Sequence, residues 1–531
     1  MPFIAFLLLT ICHFISGYGI LTIFGIRLKT AFTITLSLLL GIAVASFLPF
    51  LLQLFYIVLT DLSIFGSLVI AALLLNIPTF LRIRKEGFAA VRRSFTISRF
   101  RIRLYEIPFL LILGFLVFVS VWRCYYLPPT SRDALSGPEA IAEYAVREHT
   151  MINSFFRVDL WSTNNPFKSP YLVSLQMIYK MAGFPFGQIW LSTVFISFTV
   201  FLYHVLRQRV HPVIAGLLLL LLMMAPEMYA YTFMILYDYS NMVFLFLSLY
   251  FLFDYFNQRP AVPASFVMTP AAPPASSIIT PAAPAAKVPA QFYFSGLLMG
   301  IATYIRSETL ALALLFLPLI LFSQFRERYP FKKMVWTNIL FIAPSLVAWW
   351  LTAQLYLKHY LPVHYDVGGL VNTHLSDLHP LFQRYGDIIT RLMTGEFSVH
   401  LWGYIPYIFG LLLLAELIFL RRFSREARNW LYAIAVLYLG LGILGWLLPM
   451  MNLLETTKRA LFKLIPLFVL YIANNGWVAR LSGRISRWES VKTPVPVVAR
   501  PPSDREPPAG KTPGARPISA RPTSSKKRRR K

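Results

Sequence analysis

The chain has 531 residues, of which 57% are hydrophobic and 14% are charged, and its mean hydropathy is +0.61. A soluble domain carries about 25% charged residues, so this composition excludes an ordinary soluble enzyme and favours a chain that buries its apolar residues in a bilayer. The formal net charge of +27 would indicate nucleic-acid binding in a soluble protein. Here the basic residues lie between apolar stretches and in the tail, which is the pattern that sets membrane topology, so we expect no nucleic-acid partner.

Apolar stretches of about 20 residues, long enough to span the hydrocarbon of a bilayer, recur along the chain. They predict an all-α polytopic membrane protein with about 13 transmembrane helices. The predicted spans are 3–25, 32–58, 63–82, 107–127, 186–206, 213–229, 239–256, 291–305, 309–324, 335–356, 402–420, 430–449 and 459–475. The first has no basic start and no small-residue cleavage site, so we expect a retained span and not a removed signal peptide.

Lysine and arginine cluster in alternate connections between these spans, and this alternation predicts the orientation of the chain. The loop 82–106 is strongly basic and is placed in the cytoplasm. The other basic clusters and the C-terminal tail then share the cytoplasmic face, and the N-terminus lies outside. Two long loops, 128–185 and 357–401, fall on the outer face, where polar and acidic side chains are available for chemistry.

Composition divides the chain into five predicted parts, of which two are low in complexity. The Pro- and Ala-rich part is expected to be a cytoplasmic linker, and the basic tail is expected to be disordered and to touch anionic lipid. The parts are 1–106, an N-terminal three-helix segment with its basic loop; 107–258, the first half of the membrane domain with the outer loop 128–185; 259–290, the linker; 291–480, the second half; and 481–531, the tail.

The outer loop 128–185 contains the strongest candidate for chemistry. Asp133 lies a few residues after a predicted span, in the sequence Arg-Asp-Ala-Leu-Ser at 132–136. An amphipathic stretch from Glu139 to Met151 comes next. A carboxylate at this position can act as a general base that takes a proton from an acceptor hydroxyl. The alternative is structural, since Asp also favours helix caps and turns.

The order of these features resembles the first outer loop of the GT-C superfamily, the polytopic glycosyltransferases that use polyprenyl-phosphate sugars. Protein O-mannosyltransferases and lipid A aminoarabinose transferases belong to it. Two later stretches, 295–308 and 458–466, are similar to its glycine-rich span that ends in Thr-x-x-Arg and to its Arg-Tyr span start, with Ala460 in place of the Tyr. Ala134 and the Ser136-Gly137 pair depart from the acidic residue and the Tyr-His pair that often follow the Asp in the family.

The resemblance implies a GT-C-like fold with a loop and helix cap on the outer face, and an inverting glycosyltransferase. The donor would be a polyprenyl-phosphate sugar, and the acceptor a glycan, lipid or protein. Cations at the outer membrane edge would stabilise the departing phosphate. The candidates are Arg306, Arg459, Lys458 and Arg132, and their alternative role is interfacial snorkelling.

Further acidic and histidine side chains are predicted to line the substrate groove. These are Glu139, Glu143, Asp238, His364 and Asp366. The alternatives are a solvated helix face for the two glutamates and helix capping for Asp238. A divalent metal ion shared by Asp133 and a side chain of the second loop is a candidate cofactor, although no spacing there matches a known metal site.

Known catalytic motifs of soluble enzymes are missing from the sequence: it has no Walker A loop, no HExxH and no GxSxG. An ATP-driven pump or a cytosolic nucleotide-sugar enzyme is therefore not expected. A transporter or lipid flippase stays open as a second function, and a non-catalytic membrane scaffold as a third. The linker and the basic tail favour a bacterial inner membrane, with the active site facing the periplasm.

Overall fold

The computed structural model describes residues 2–87, 102–157, 168–258, 290–327, 329–362, 377–394, 396–420, 423–447 and 461–492, and within these residues all regular secondary structure is helical. In hydrocarbon each backbone N–H and C=O must be satisfied inside its own segment, which a helix achieves. The chain divides into two compact units, Met1–Ile485 and Ser486–Lys531, and every tertiary contact given below lies within the first.

The first half of the chain forms twelve of the helices within the described residues. Local signals fix several ends: a capping box between Thr60 and Ser63 starts α3, and prolines stand in the first turns of α7, α10 and α11. The helices are α1 (Pro2–Ile23), α2 (Thr30–Leu54), α3 (Asp61–Leu75), α4 (Ile77–Glu86), α5 (Ile107–Tyr126), α6 (Arg132–Leu135), α7 (Pro138–Glu148), α8 (Tyr171–Met181), α9 (Trp190–Arg207), α10 (Pro212–Met223), α11 (Pro226–Ala230) and α12 (Tyr237–Gln258).

The second half continues the bundle, and two of its helices run on as π-helical turns, Trp350–Tyr360 after α15 and Glu416–Leu420 after α18. The helices are α13 (Ala290–Ile305), α14 (Thr309–Arg326), α15 (Phe331–Trp349), α16 (His379–Met393), α17 (Glu396–Trp402), α18 (Ile405–Ala415), α19 (Arg425–Leu447), α20 (Ile465–Asn474) and α21 (Gly476–Lys492). Single 3₁₀ turns precede α5 and α20, at Leu104–Glu106 and Phe462–Leu464, and another lies at Ser154–Arg157.

Eight helices in the described residues are long and apolar enough to cross a membrane, and the number rises to ten if two bent helix pairs each count as one span. These helices indicate an integral membrane protein. The eight are Phe3–Ile23, Thr30–Leu54, Leu104–Tyr126, Trp190–Arg207, Tyr237–Asn257, Thr309–Arg326, Phe331–Tyr360 and Arg425–Leu447. Each of the predicted spans overlaps a helix or a bent pair, but three of those helices are shorter, so the count of 13 and the outer-face cap stay predictions.

The bundle has two polar ends, which we call the loop end and the basic end. At the loop end Trp190 donates to Gln176 of the first outer loop, with 2.8 Å between indole nitrogen and amide oxygen. At the basic end Arg207, at the other terminus of α9, pairs with Glu106 at 2.9 Å. Helix α9 has 18 residues and is therefore about 27 Å long, so the two ends are close to a hydrocarbon thickness apart.

Two glycines on α13 allow it to lie close against α15. A Cβ atom on Gly300 would stand 2.6 Å from the Cβ of Pro344, and one on Gly296 would stand 2.7 Å from the carbonyl oxygen of Phe341. Small residues four apart let helix backbones approach closely in a membrane. This contact sets the position of Arg306, the first residue after α13.

We predict that Gly300→Ala destabilises the protein by about 1–3 kcal/mol, because its methyl group has to displace the Pro344 region of α15. Gly114→Ala on α5 is the matched control, since a Cβ there meets nothing within 4 Å. Thermal unfolding of the detergent-solubilised protein measures both. Equal unfolding temperatures for the two variants would contradict a close contact between α13 and α15.

Candidate functional site

Asp133 lies in the first turn of the short helix α6 at the loop end. The residue that caps this helix is Ser131, whose hydroxyl oxygen accepts from the backbone N–H of Ala134 at 3.2 Å. Asp133 is half-buried, and its neighbour Arg132 is exposed. The N-cap role therefore belongs to Ser131, and the function of Asp133 as a base stays a prediction.

Lys180 ties α7 to α8 within the segment 128–185. Its ammonium lies 2.7 Å from a carboxylate oxygen of Glu139 and 3.0 Å from one of Glu143, and its side chain is only 7% exposed. The hydrogen bond from Lys180 lowers the pKa of the Glu143 carboxyl. Glu139 also accepts from the amide of Gln176 at 2.6 Å, so both glutamates hold the loop together, whatever contact they make with a substrate.

Arg306 is the centre of a charge cluster, which we define as Asp238, Arg306, Glu308 and Lys463. Asp238 and Lys463 are buried, and Arg306 and Glu308 are half-buried. The guanidinium of Arg306 donates from Nη1 to the carboxylate of Asp238 and lies 2.7 Å, through Nε, from Oε1 of Glu308. The ammonium of Lys463 is 4.0 Å from the same Glu308 oxygen. Two cations and two anions therefore share one site, and their formal charges sum to zero.

The members of the charge cluster differ in their exposure. The side chains of Lys463 and Asp238 are 2% and 4% exposed, whereas that of Glu308 is 28% exposed. Burial by itself would raise the pKa of the Glu308 carboxyl, but Arg306 and Lys463 outweigh burial and leave that pKa lowered. Glu308 is thus ionised at neutral pH, and it is the member of the cluster that solvent reaches most easily.

Besides the 3₁₀ turn that holds Lys463, three segments of the chain meet at this cluster. Arg306 and Glu308 lie in the short connection between α13 and α14, and Asn241 of α12 holds that connection through its amide, which donates to the carbonyl of Ala302 at 2.7 Å and to the hydroxyl of Thr309 at 2.9 Å. The hydroxyl of Ser169 donates to the carbonyl of Ile305 at 3.0 Å. Ser169 belongs to the first outer loop, so this loop directly contacts the backbone beside Arg306.

An ion pair and a hydrogen bond join other segments of the chain at the basic end. Arg209 pairs with Glu426 at 3.3 Å, and Arg425 donates to the carbonyl of Phe256 at 2.5 Å. Phe256 and Asp238 are near opposite ends of the single helix α12. The segments that the basic pattern assigns to one face therefore meet at one end of the bundle, and which end faces the cytoplasm stays a prediction.

Neither Glu308 nor Lys463 was among the predicted site residues, although Lys463 has a visible signal in the sequence. It follows Lys458 and Arg459, which look like better phosphate-binding candidates because they precede the apolar stretch. A lysine that is followed directly by Leu464 and Ile465 is a usable signal, since a cation at membrane depth is costly and needs a partner. Its partner, Glu308, is distant in sequence, and so the pairing itself was not predictable.

Several predicted site residues lie outside the described residues: Lys458, Arg459, His364 and Asp366. Asp238, by contrast, is described, and it forms the ion pair with Arg306. Within the described ranges no group of three or more His, Cys, Asp and Glu side chains is placed to hold a metal ion. A divalent ion shared between Asp133 and the second loop stays a prediction, because residues 363–376 of that loop, His364 and Asp366 among them, lie outside the described residues.

Comparison with known proteins does not assign the chain to a family. No protein-family model, no curated protein and no solved structure matches it.

The lowered pKa of Glu308 predicts an acid-sensitive stability. A carboxyl whose pKa is lower in the folded state stabilises the fold above its unfolded pKa, about 4.5, and loses that contribution as the pH falls through the folded value. We expect the unfolding temperature of the wild type to fall below about pH 4.5 and that of Glu308→Gln to fall less steeply, when both are measured in detergent.

Glu86→Gln is the matched control, because Glu86 is 48% exposed in its pair with Arg82 and exposed pairs contribute little. It should follow the wild-type pH profile. If Glu308→Gln also keeps that profile, the ionised carboxylate does not stabilise the charge cluster.

Proposed function

We propose that this protein is a membrane glycosyltransferase that moves a sugar from a polyprenyl-phosphate donor to an acceptor hydroxyl, with Asp133 as the general base. The observation that carries the proposal is the charge cluster, which buries two cations at the end of the bundle that also carries the Asp133 loop. Ionisable side chains at membrane depth are costly and mark functional sites. The similarity of the loop motif to the GT-C superfamily supplies the reaction class.

The proposed reaction has one displacement step. The Asp133 carboxylate takes the proton of the acceptor hydroxyl, whose oxygen forms a bond to the anomeric carbon of the sugar. The bond from that carbon to the phosphate oxygen breaks, and polyprenyl phosphate leaves with the electron pair. A single attack from the opposite side inverts the anomeric centre.

Arg306 and Lys463 are the cations that we propose for the departing phosphate. Preorganised cations in a site that excludes water stabilise a developing anion far better than they do in water. In the structure Glu308 lies between them, and it is the most exposed member of the cluster. We propose that the donor phosphate takes the place of the Glu308 carboxylate, so that the two cations exchange one anion for another.

The proposed location is a bacterial inner membrane, with the loop end facing the periplasm. It is supported by the arginines gathered at the opposite end of the bundle, among them Arg207, Arg209 and Arg425, because basic residues favour the cytoplasmic face. A polyprenyl-phosphate donor would reach the loop end from the outer leaflet. The acceptor is a glycan, lipid or protein that carries a hydroxyl.

Transport is the second candidate function, and one observation favours it. Glu416 is fully buried, and its carboxylate accepts from the hydroxyl of Tyr471 at 2.8 Å and from the amide of Asn475 at 2.7 Å. Asn475 lies at the break between α20 and α21, and discontinuous helices with buried ionisable residues are common in transporters. Loss of solute uptake in Glu416→Gln, with uptake retained in Asp133→Asn, would favour this alternative.

For glycosyl transfer we predict that Asp133→Asn lowers the rate by about 10²–10⁴-fold, the usual contribution of a general base. The measurement is transfer from radiolabelled polyprenyl-phosphate sugars by the protein in proteoliposomes. Asp61→Asn is the control, because Asp61 is exposed in the first turn of α3 and should leave the rate unchanged. Undiminished transfer by a folded Asp133→Asn protein would remove this residue from the chemistry.

A further inference from the structure

Helix α21 turns away from the axis of the preceding apolar helix at the basic end of the bundle. The axis from Gly476 onward is bent by 56° from that of the preceding apolar helix. Glu416 fixes the break, because its carboxylate accepts from the side-chain amide of Asn475 at 2.7 Å and from the backbone N–H of Gly476 at 3.3 Å. The chain therefore cannot continue straight out of the bundle and runs across its end.

One face of the first turns of α21 is attached to the bundle. The hydroxyl of Ser482 accepts from the backbone N–H of His211 at 2.8 Å. Val478 and Ile485 are partly buried against the hydrophobic core. Positions 478, 482 and 485 follow the helical spacing of four and three residues, so they define the inner face of α21.

A second face of α21, rotated by roughly 120° from the inner face, is exposed and combines apolar and cationic side chains. Trp477 is 38% exposed and Leu481 is 51% exposed, and Arg480 and Arg484 lie beside them and are exposed too. The guanidinium of Arg480 lies 5.3 Å from the centre of the Trp477 ring. We call these four side chains the α21 face.

We infer that the α21 face lies on the membrane surface at the basic end and binds the phosphate groups of anionic phospholipids. The path of the chain indicates where this face lies. Helix α21 begins at the end of an apolar helix and leaves it at a steep angle, so we place it at the level of the bilayer surface. Trp and Leu enter the headgroup boundary of a bilayer, and arginines beside them attract anionic headgroups. An acidic protein partner would explain the arginines but not the exposed apolar pair beside them.

Charge complementarity strengthens this assignment. Arg209 and Arg425 are at the same end of the bundle, and each is engaged in its own contact, with Glu426 and with the carbonyl of Phe256. The arginines of the α21 face point away from the inner face that holds the bundle. They are therefore placed to meet phosphate groups outside the protein. This inference does not depend on glycosyl transfer.

The test is retention of lipid by the full-length protein. The protein is solubilised from vesicles that contain phosphatidylcholine and phosphatidylglycerol in equal amounts, and the bound lipids are counted by native mass spectrometry. We expect the wild type to retain phosphatidylglycerol preferentially. Each arginine near an anionic surface contributes about fivefold, so Arg480→Gln/Arg484→Gln should lose most of the preference, and Arg480→Lys/Arg484→Lys should keep it.

Arg147→Gln/Arg157→Gln is the matched control, because it removes the same charge from exposed positions near the loop end. It should retain phosphatidylglycerol as the wild type does. An undiminished preference in Arg480→Gln/Arg484→Gln overturns the inference, as does an equal loss in the control. If a dimer is detected and this variant abolishes it, the face binds a second copy of the chain and not lipid. The substituted arginines are all exposed, so we expect the variants to fold, and size-exclusion chromatography checks this. The single variants Arg480→Gln and Arg484→Gln repeat the test with one charge removed at a time.

Discussion

The ion pair between Arg306 and Asp238 is the interaction on which the arrangement of the loop end depends. A charge taken into a low-dielectric interior without a partner costs several kcal/mol, so a buried arginine requires an anion at contact distance. Because Arg306 follows α13 and Asp238 begins α12, their pairing brings the ends of these helices together. Glu308 precedes α14 and pairs with Arg306, and Lys463 precedes α20 and lies near Glu308. The starts of α14 and α20 are therefore held at the same place.

Much of the fold was predictable from the sequence, because apolar length alone decides whether a segment becomes a membrane helix. The sequence also indicated which segments share an end of the bundle, since basic clusters alternate with the outer loops. Side-chain pairing was not predictable in the same way. Asp238 and Arg306 are 68 residues apart and Lys180 and Glu143 are 37 apart, and no local pattern specifies contacts over such separations. The ionic contacts of Glu143 and Lys463 were therefore not predictable from the sequence.

The two polar ends differ in a manner that suits the proposed chemistry. At the loop end the cations are buried and balanced by carboxylates, so an incoming anion has to compete with Glu308. At the basic end Arg480 and Arg484 are exposed, and the buried Glu106 is already paired with Arg207. A site for a lipid-linked phosphate needs the first arrangement, in which water is excluded and charge is held in place. Glu416 belongs to neither set, since it holds the bend between α20 and α21.

The central claim is that the Asp133 loop and the charge cluster lie on the same, non-cytoplasmic side of the membrane. Cysteine accessibility tests it in a chain with Cys12 and Cys124 replaced by alanine. Single cysteines at Ser136, three residues after Asp133, and at Ser307, between Arg306 and Glu308, should react with a membrane-impermeant maleimide in sealed spheroplasts. A single cysteine at Ser424 should react only after lysis. Reaction of the first two positions from opposite sides, or of Ser424→Cys in sealed spheroplasts, would contradict the claim.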